Sequence, residues 1–305
     1  VKVMVVGGAG FLGSHLVDRL LAEGDTVDVV DNLSSGSLAN LATARGVGGE
    51  LKIHHLDACA DEFAPLVALR RPEVIVHLGW APPGRREPAD LARAVQSTFA
   101  VLEATRLGGV AKVVVALPAG ALYGEVAARD LPVKEGHAWV PLGSFGVVVR
   151  AVADLLASYR AVHQVEFTAL AMTSVYGPRQ RPDGGVVAAF AAALARGELP
   201  VLHGDGRQSR DFLFVDDAID ALMLATRRGS GLVVNIGTGR LTSVRDLWTA
   251  LAGPDARAPS PSPHLDSGLA RMAVSPTRAR IHLTWEPWTT LEQGLPAVRD
   301  SLSTD

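Results

Sequence analysis

Short runs of consecutive apolar residues alternate along the chain with longer stretches in which apolar positions return every three or four residues. The runs read as strands buried on both faces and the periodic stretches as amphipathic helices. Val1 to Val6 is the first such strand. Ser14 to Ala22 follows as a helix, with Leu16, Val17, Leu20 and Leu21 on its apolar face. Thr26 to Val30, closed by Asp31, is the next strand, and Leu51 to Leu56, closed by Asp57, the one after it. The alternation continues through a helix into the strand Val74 to Leu78, a helix near Asp90 to Leu107, the strand Lys112 to Leu117, a helix near Phe145 to His163, and the strand Glu166 to Met172. This order predicts an α/β fold with a doubly wound parallel sheet of the Rossmann type.

From about Gly177 the rhythm changes. Val186 to Ala195 predicts an apolar helix, Leu213 to Val215 a short strand, Asp216 to Thr226 a helix, and Val233 to Ile236 another strand. Pro254 to Gly268 is rich in Pro, Ser and Ala and predicts a surface loop. The sheet domain is therefore expected over 1–172, with 213–239 returning to it. A smaller C-terminal domain is expected to take up most of 173–305.

Between the first strand and the first helix, Gly8, Gly10 and Gly13 spell G-x-G-x-x-G, with Gly7 as a further small residue. Strand, glycines and helix together make the context in which this pattern binds a dinucleotide. The glycines permit a tight turn and the close approach of a pyrophosphate to the helix N-terminus, and a carboxylate about 20 residues on accepts from the adenosine ribose. Asp31 stands at that place. A carboxylate there repels a 2′-phosphate, so the expected cofactor is NAD rather than NADP. The residues expected to hold it are Gly7, Gly10, Phe11, Leu12 and Gly13 in the turn, and Asp31, Asn32, Ser34, Ser35 and Gly36 after the second strand. Asp57 and Ala58 after the third strand and Leu78 and Gly79 after the fourth complete the set.

Composition narrows the remaining choices. With 305 residues, 48% of them hydrophobic, the chain can bury a large core, and its net charge of −3 excludes a basic nucleic-acid footprint. No apolar run reaches the roughly 18 residues of a membrane span, and the apolar start is too short for the core of a signal peptide. Cys59 is the single cysteine; it reads as a small buried apolar residue, and the cytoplasm is the expected location. His54, His55 and His77 have no partner at metal-ligand spacing, so no metal site is expected. His77 reads as the end of a buried strand.

Nine segments together give the chain its resemblance to a known family. They are Gly7-Gly-Ala-Gly-Phe-Leu-Gly13, Asp31-Asn-Leu-Ser-Ser-Gly36, His77-Leu78, Leu122-Tyr-Gly-Glu125, Val175-Tyr-Gly-Pro-Arg-Gln180, Gly204-Asp-Gly-Arg-Gln-Ser-Arg-Asp-Phe212, Val215-Asp-Asp217, Asn235-Ile-Gly-Thr-Gly239 and Trp285-Glu-Pro287. The whole chain resembles an extended short-chain dehydrogenase/reductase of the nucleotide-sugar epimerase/dehydratase family, in the manner of UDP-glucose 4-epimerase. The resemblance implies an NAD-binding domain and a smaller domain closing over a nucleoside-diphosphate sugar, often in a homodimer. It also implies that Ser174, Gln208 and Arg210 face the substrate, with Arg210 pairing to the diphosphate.

Oxidising a sugar hydroxyl needs a base to take the O–H proton while hydride leaves for the nicotinamide. A tyrosine does this when a nearby lysine pulls its pKa towards neutrality. Within the resemblance, the tyrosine position follows Pro141-Leu-Gly-Ser144 and is Phe145; the lysine position is Val149; the Ser/Thr position, four before Tyr123, is Ala119. The acid-base positions of dehydratases and decarboxylases are Gly120 and Ala121. None of these can carry a proton. Trp80 after His-Leu-Gly is expected to crowd the nicotinamide, an Asn of the family is Ala94, and an Arg-x-Gly-Asp element expected near Leu265 to Gly268 is missing. Two readings follow. One is a binding protein that keeps cofactor and nucleotide-sugar affinity without the redox chemistry, as a partner subunit, sensor or scaffold. The other is an enzyme acting on a nucleotide sugar with a different acid-base, for which Tyr123, Ser144 and Tyr176 are the nearest hydroxyls.

Overall fold

In the computed structural model, which describes residues 1–46, 49–80, 87–262 and 268–302, the strands in chain order begin with β1 Lys2–Val6, β2 Thr26–Asp31, β3 Leu51–His55, β4 Val74–His77, β5 Lys112–Pro118 and β6 Glu166–Met172. Shorter strands follow: β7 Ser174–Tyr176, β8 Val201–His203, β9 Ser209–Arg210, β10 Phe212–Phe214, β11 Leu232–Ile236, β12 Thr242–Ser243, β13 Ser260–Ser262 and β14 Arg271–Met272. The helices are α1 Phe11–Ala22, α2 Ala42–Gly46, α3 Phe63–Arg70, α4 Pro88–Gly108, α5 Ala119–Tyr123, α6 Gly143–His163, α7 Val186–Ala195, α8 Val215–Arg227, α9 Val244–Ala252, α10 Thr277–His282 and α11 Leu291–Leu302.

β1 to β6 and β11 form one sheet in the order β3-β2-β1-β4-β5-β6-β11, every neighbouring pair parallel. Successive side chains of β1 enter opposite layers. Val3 and Val5 join the core shared with α1 and α8, while Met4 and Val6 join the one shared with α4 and α6. That two-sided burial is why the strands read as unbroken apolar runs rather than alternating ones. On α1, Leu16, Val17 and Leu20 are at most 1% exposed, each stabilising the fold by roughly 1.5–3 kcal/mol.

The chain runs outward from β1 through β2 to β3, then crosses to β4 and proceeds the other way. The reversal opens a crevice at the carboxyl ends of β1 and β4, the place where open α/β sheets take ligands. Beyond β6 the chain adds β7, which pairs with β10, and returns to the main sheet as β11 next to β6; β12 and β14, which come after β11, join β9 in a small sheet of order β12-β9-β14.

Two details differ from the sequence expectation. The strand expected at Leu213 to Val215 lies one residue earlier, because Val215 already begins α8, with Asp216 and Asp217 in its first turn. The loop expected over Pro254 to Gly268 contains β13, paired in parallel with β8. Residues 265–267, where the missing family element was sought, lie outside the described residues.

Candidate functional site

The turn from β1 into α1 is shaped by contacts that leave no room for side chains. Gly7 has φ +83°, and a Cβ there would lie 2.5 Å from the Gly79 nitrogen; a Cβ on Gly13 would lie 2.1 Å from the Gly7 carbonyl oxygen. α1 begins after Gly10 with no side-chain cap. Its first-turn N–H groups therefore have no protein partner of that kind, and the helix N-terminus favours an anion. Gly7, Gly10, Phe11, Leu12 and Gly13 line a cavity of about 620 Å³ in the crevice.

At the β2–β3 side of the cavity stand two carboxylates. Asp31 is 8% exposed and accepts from the backbone N–H of Ala9 (2.8 Å) and of Leu33 (2.7 Å). These bonds fix it in place while leaving lone pairs for a hydroxyl ligand. Asp57 accepts from Asn32 Nδ2, Arg93 Nη2 and the Cys59 N–H. Partial burial opposes its ionisation, but the bonds from Arg93, Cys59 and Asn32 outweigh that and hold its pKa at about 2. Ser34, Ser35, Ala58, Leu78 and Gly79 also line the cavity. Gly36 does not: a Cβ on it would lie 2.8 Å from the Ala9 carbonyl carbon, so it packs beneath the glycine turn.

The other end of the cavity, over the ends of β4 and β5, is apolar. Leu78, Trp80, Leu117, Phe145 and Met172 line it. Trp80 is 4% exposed, its indole N–H donates to the Ala116 carbonyl at 3.0 Å, and its ring is stacked with that of Phe145 at 9° with centroids 6.3 Å apart. Ala119 at the start of α5 and Val149 on α6 are fully buried beneath this wall and do not line the cavity.

The hydroxyls expected as substitutes are placed elsewhere. Tyr123 donates to Asn235 Oδ1 at 2.7 Å, and burial, followed by the nearby Glu135, pushes its phenol above the usual range. Tyr176 donates to the Leu291 carbonyl at 3.4 Å, and burial and then Asp217 push it the same way. Ser144 is exposed and outside the cavity. His77 is fully buried at the end of β4 with neither ring nitrogen hydrogen-bonded, and burial lowers its pKa to about 3, so it is neutral. Cys59 is half-buried rather than buried, its thiol pushed up to about 11 by burial and then by Asp57.

Ser174, Gln208 and Arg210 do not line the cavity. The Ser174 N–H donates to the Asp211 carbonyl, Gln208 Nε2 to the His203 carbonyl, and Arg210 Nη1 to the Ser209 carbonyl. Conversely, the cavity includes Asn40, Asp90, Arg93, Thr173, Arg179 and Gln180, which sequence reasoning did not assign to it. Gln180 and Arg179 belong to a segment already singled out for resemblance; Arg93 and Asp90 sit on α4 with no local pattern to mark them. Among the described residues no group of His, Cys, Asp or Glu could hold a metal ion, and no helix is long and apolar enough to cross a membrane.

Parallel sheet, glycine cradle and paired carboxylates define a Rossmann-class protein whose crevice fits a dinucleotide. The chain belongs to the NAD dependent epimerase/dehydratase family, whose model matches residues 3–237. It is 38% identical over 307 residues to the UDP-glucose 4-epimerase of Mycolicibacterium smegmatis, covering 96% of each chain. The crystal structure of UDP-glucose 4-epimerase with UDP-glucose from Thermotoga maritima superposes with a TM-score of 0.92 at 33% identity, covering 100% of this chain and 99% of that one. The Thermus thermophilus UDP-glucose 4-epimerase complex with NAD gives 0.90 at 29% identity, covering 99% of each.

Proposed function

We propose that the protein binds NAD and a nucleoside-diphosphate sugar in this crevice without the ordinary proton chemistry of epimerases, dehydratases and decarboxylases. The observation that carries this reading is the apolar wall at the β4–β5 end. Phe145 faces the cavity where the resemblance calls for a tyrosine, and Ala119 and Val149 stand buried at the other two positions. Tyr123 and Tyr176 are committed to other partners. When bound, NAD supplies a hydride acceptor; the residues that would hold it are the glycine turn, Asp31, Asp57 and the loop at Leu78–Gly79. In this reading 1–172 with 213–239 form the NAD-binding part and 173–305 mainly the substrate part, and the nucleotide sugar extends beyond the cavity to reach Ser174, Gln208 and Arg210, which do not line it. The protein works in the cytoplasm as a homodimer, or beside a partner enzyme that supplies the chemistry.

A second reading, an active epimerase with a different acid-base, is favoured by the likeness to UDP-glucose 4-epimerases over almost the whole chain. Its proton carrier then comes from the cavity's polar lining, with Asp90, Ser97 and Thr173 as the candidates.

Incubating the chain with NAD and a panel of UDP-, dTDP- and GDP-sugars, with products followed by NMR, separates the two. The binding reading expects no product; turnover near about 1 s⁻¹ or above, within the usual enzyme range, overturns it. Restoring Ala119→Ser, Phe145→Tyr and Val149→Lys together is expected to bring activity back where single changes do not. Because positions 119 and 149 are fully buried, the added ammonium pays a desolvation penalty that lowers its pKa.

A further inference from the structure

We propose that this crevice selects the oxidised, positively charged form of the dinucleotide over the reduced form, through the parallel ring faces of Trp80 and Phe145. The inference rests on the NAD reading above and adds a discrimination between two charge states of one cofactor.

A dinucleotide whose adenosine half is met by Asp31 and Asp57 over β2 and β3, and whose phosphates are met at the N-terminus of α1 over β1, has its other half over β4 and β5. The residues there are Leu78, Trp80, Leu117, Phe145 and Met172. The oxidised nicotinamide ring is a cation and the reduced ring is neutral. Burial in an apolar pocket alone penalises the cation and so favours the reduced form. Two features oppose that tendency here. The faces of indole and phenyl rings carry negative potential and attract a cation, most strongly where water is excluded. The ring of Trp80 is already fixed by its bond to the Ala116 carbonyl and by 96% burial (4% exposed), so little rotamer entropy is lost when a ligand meets it.

The second feature is charge. Val149 occupies the position at which the family resemblance calls for a lysine, and none of the described residues lining this end is Lys or Arg. A cation beside the ring would repel the oxidised form. The cavity's other charges offset one another, with Asp31, Asp57 and Asp90 against Arg93, Arg179 and Arg181, so the charge argument rests on position 149. Ring faces and the uncharged side chain at position 149 therefore point the same way.

The test is calorimetric titration of the full chain, stripped of cofactor, with NAD⁺ and separately with NADH. The wild type is expected to bind NAD⁺ more tightly than NADH by about tenfold or more, the scale of a desolvated cation–ring contact. Trp80→Leu should reduce that ratio by about tenfold, Phe145→Leu should reduce it by less, and Phe145→Tyr, which keeps the ring, should leave it within about twofold. Equal or tighter binding of NADH by the wild type overturns the proposal. So does an unchanged ratio in both leucine variants when each still binds cofactor. If Trp80→Leu does not fold, the wild-type ratio and Phe145→Leu decide. Failure of the wild type to bind either form is a different outcome, which overturns the NAD reading itself.

Discussion

Gly10 and Gly13 lie three residues apart in the same turn, yet the structure assigns them different tasks, and alanine at each should separate the two. A Cβ on Gly13 would lie 2.1 Å from the Gly7 oxygen, 2.7 Å from Gly8 Cα and 2.9 Å from the Gly7 carbonyl carbon, all backbone atoms that cannot rotate away. Gly13→Ala must therefore displace the turn itself. Overpacking of this kind costs about 1–3 kcal/mol, or roughly 2–12 °C in Tm at about 2–4 °C per kcal/mol for a chain of this size class. A Cβ on Gly10 meets only the Gly7 oxygen at 3.3 Å, and its φ of −79° is open to any residue. Its small steric and capping losses are offset by the lower entropy of the unfolded chain, so the net change should stay within about 0.5 kcal/mol. Gly10 nevertheless lines the cavity at the helix N-terminus, where an added methyl holds a pyrophosphate off the N–H groups. Losing one charge-assisted bond, worth roughly 1.5–3 kcal/mol, weakens NAD by about tenfold or more. Denaturant melts of both variants and calorimetry with NAD measure the two effects. The reasoning is refuted if Gly10→Ala is destabilised as much as Gly13→Ala, or if it folds and binds NAD as the wild type does.

Asp31→Ala is expected to weaken NAD more than NADP in paired titrations, since it removes both the ribose acceptor and the charge that repels a 2′-phosphate; tighter NADP binding by the wild type would contradict it. Tyr123→Phe leaves Asn235 Oδ1 without its 2.7 Å donor in a buried site, so unfolding in urea should show a loss of about 1–3 kcal/mol with NAD affinity unchanged. A drop in NAD affinity instead would place the phenol in the site. Asp57, held at about 2 in the fold against about 3.9 unfolded, contributes stability that is present above the unfolded value and is lost as pH falls through the folded one. The stability gap between wild type and Arg93→Met should thus be constant above about pH 5 and close towards pH 2; a gap independent of pH would remove Arg93 as the cause.

The main sheet was legible because its central strands β1, β2, β4 and β5 are buried on both faces and announce themselves as runs, whereas the edge strand β3 is only partly buried, and because the glycines and Asp31 sit at fixed offsets from β1 and β2. The C-terminal part was less legible. β13 and β8 are three residues each and pair across a long insertion, and nothing local in Ser260–Ser262 signals a strand. The same distinction holds in the site. Residues on the turns directly after β1, β2, β3 and β4 could be named from the sequence, since a strand end fixes where the next residues point. Arg93 and Asp90 reach the cavity only because α4 is packed beside the crevice, and Ser174 falls outside it while Val175, the next residue of β7, lines it, because successive strand side chains face opposite ways. Phe145 and Val149 share a helix, but one faces the cavity and the other the core, a difference that their four-residue spacing does not show.

The helix that carries the glycine turn leans on chain made much later. Arg19 Nη2 donates to Asp220 Oδ1 at 2.8 Å across 201 residues, Arg179 Nη2 meets Asp18 Oδ2 at 2.7 Å, and His15 Nε2 lies 3.0 Å from the Pro178 carbonyl. The glycine turn is thus synthesised well before the segments that complete its surroundings. Non-local closures of this kind are slow to form and leave apolar surface open while they wait. A nascent chain halted before Pro178 carries the whole glycine fingerprint but none of the three contacts that steady it, and one halted before Asp220 still lacks the bond to Arg19.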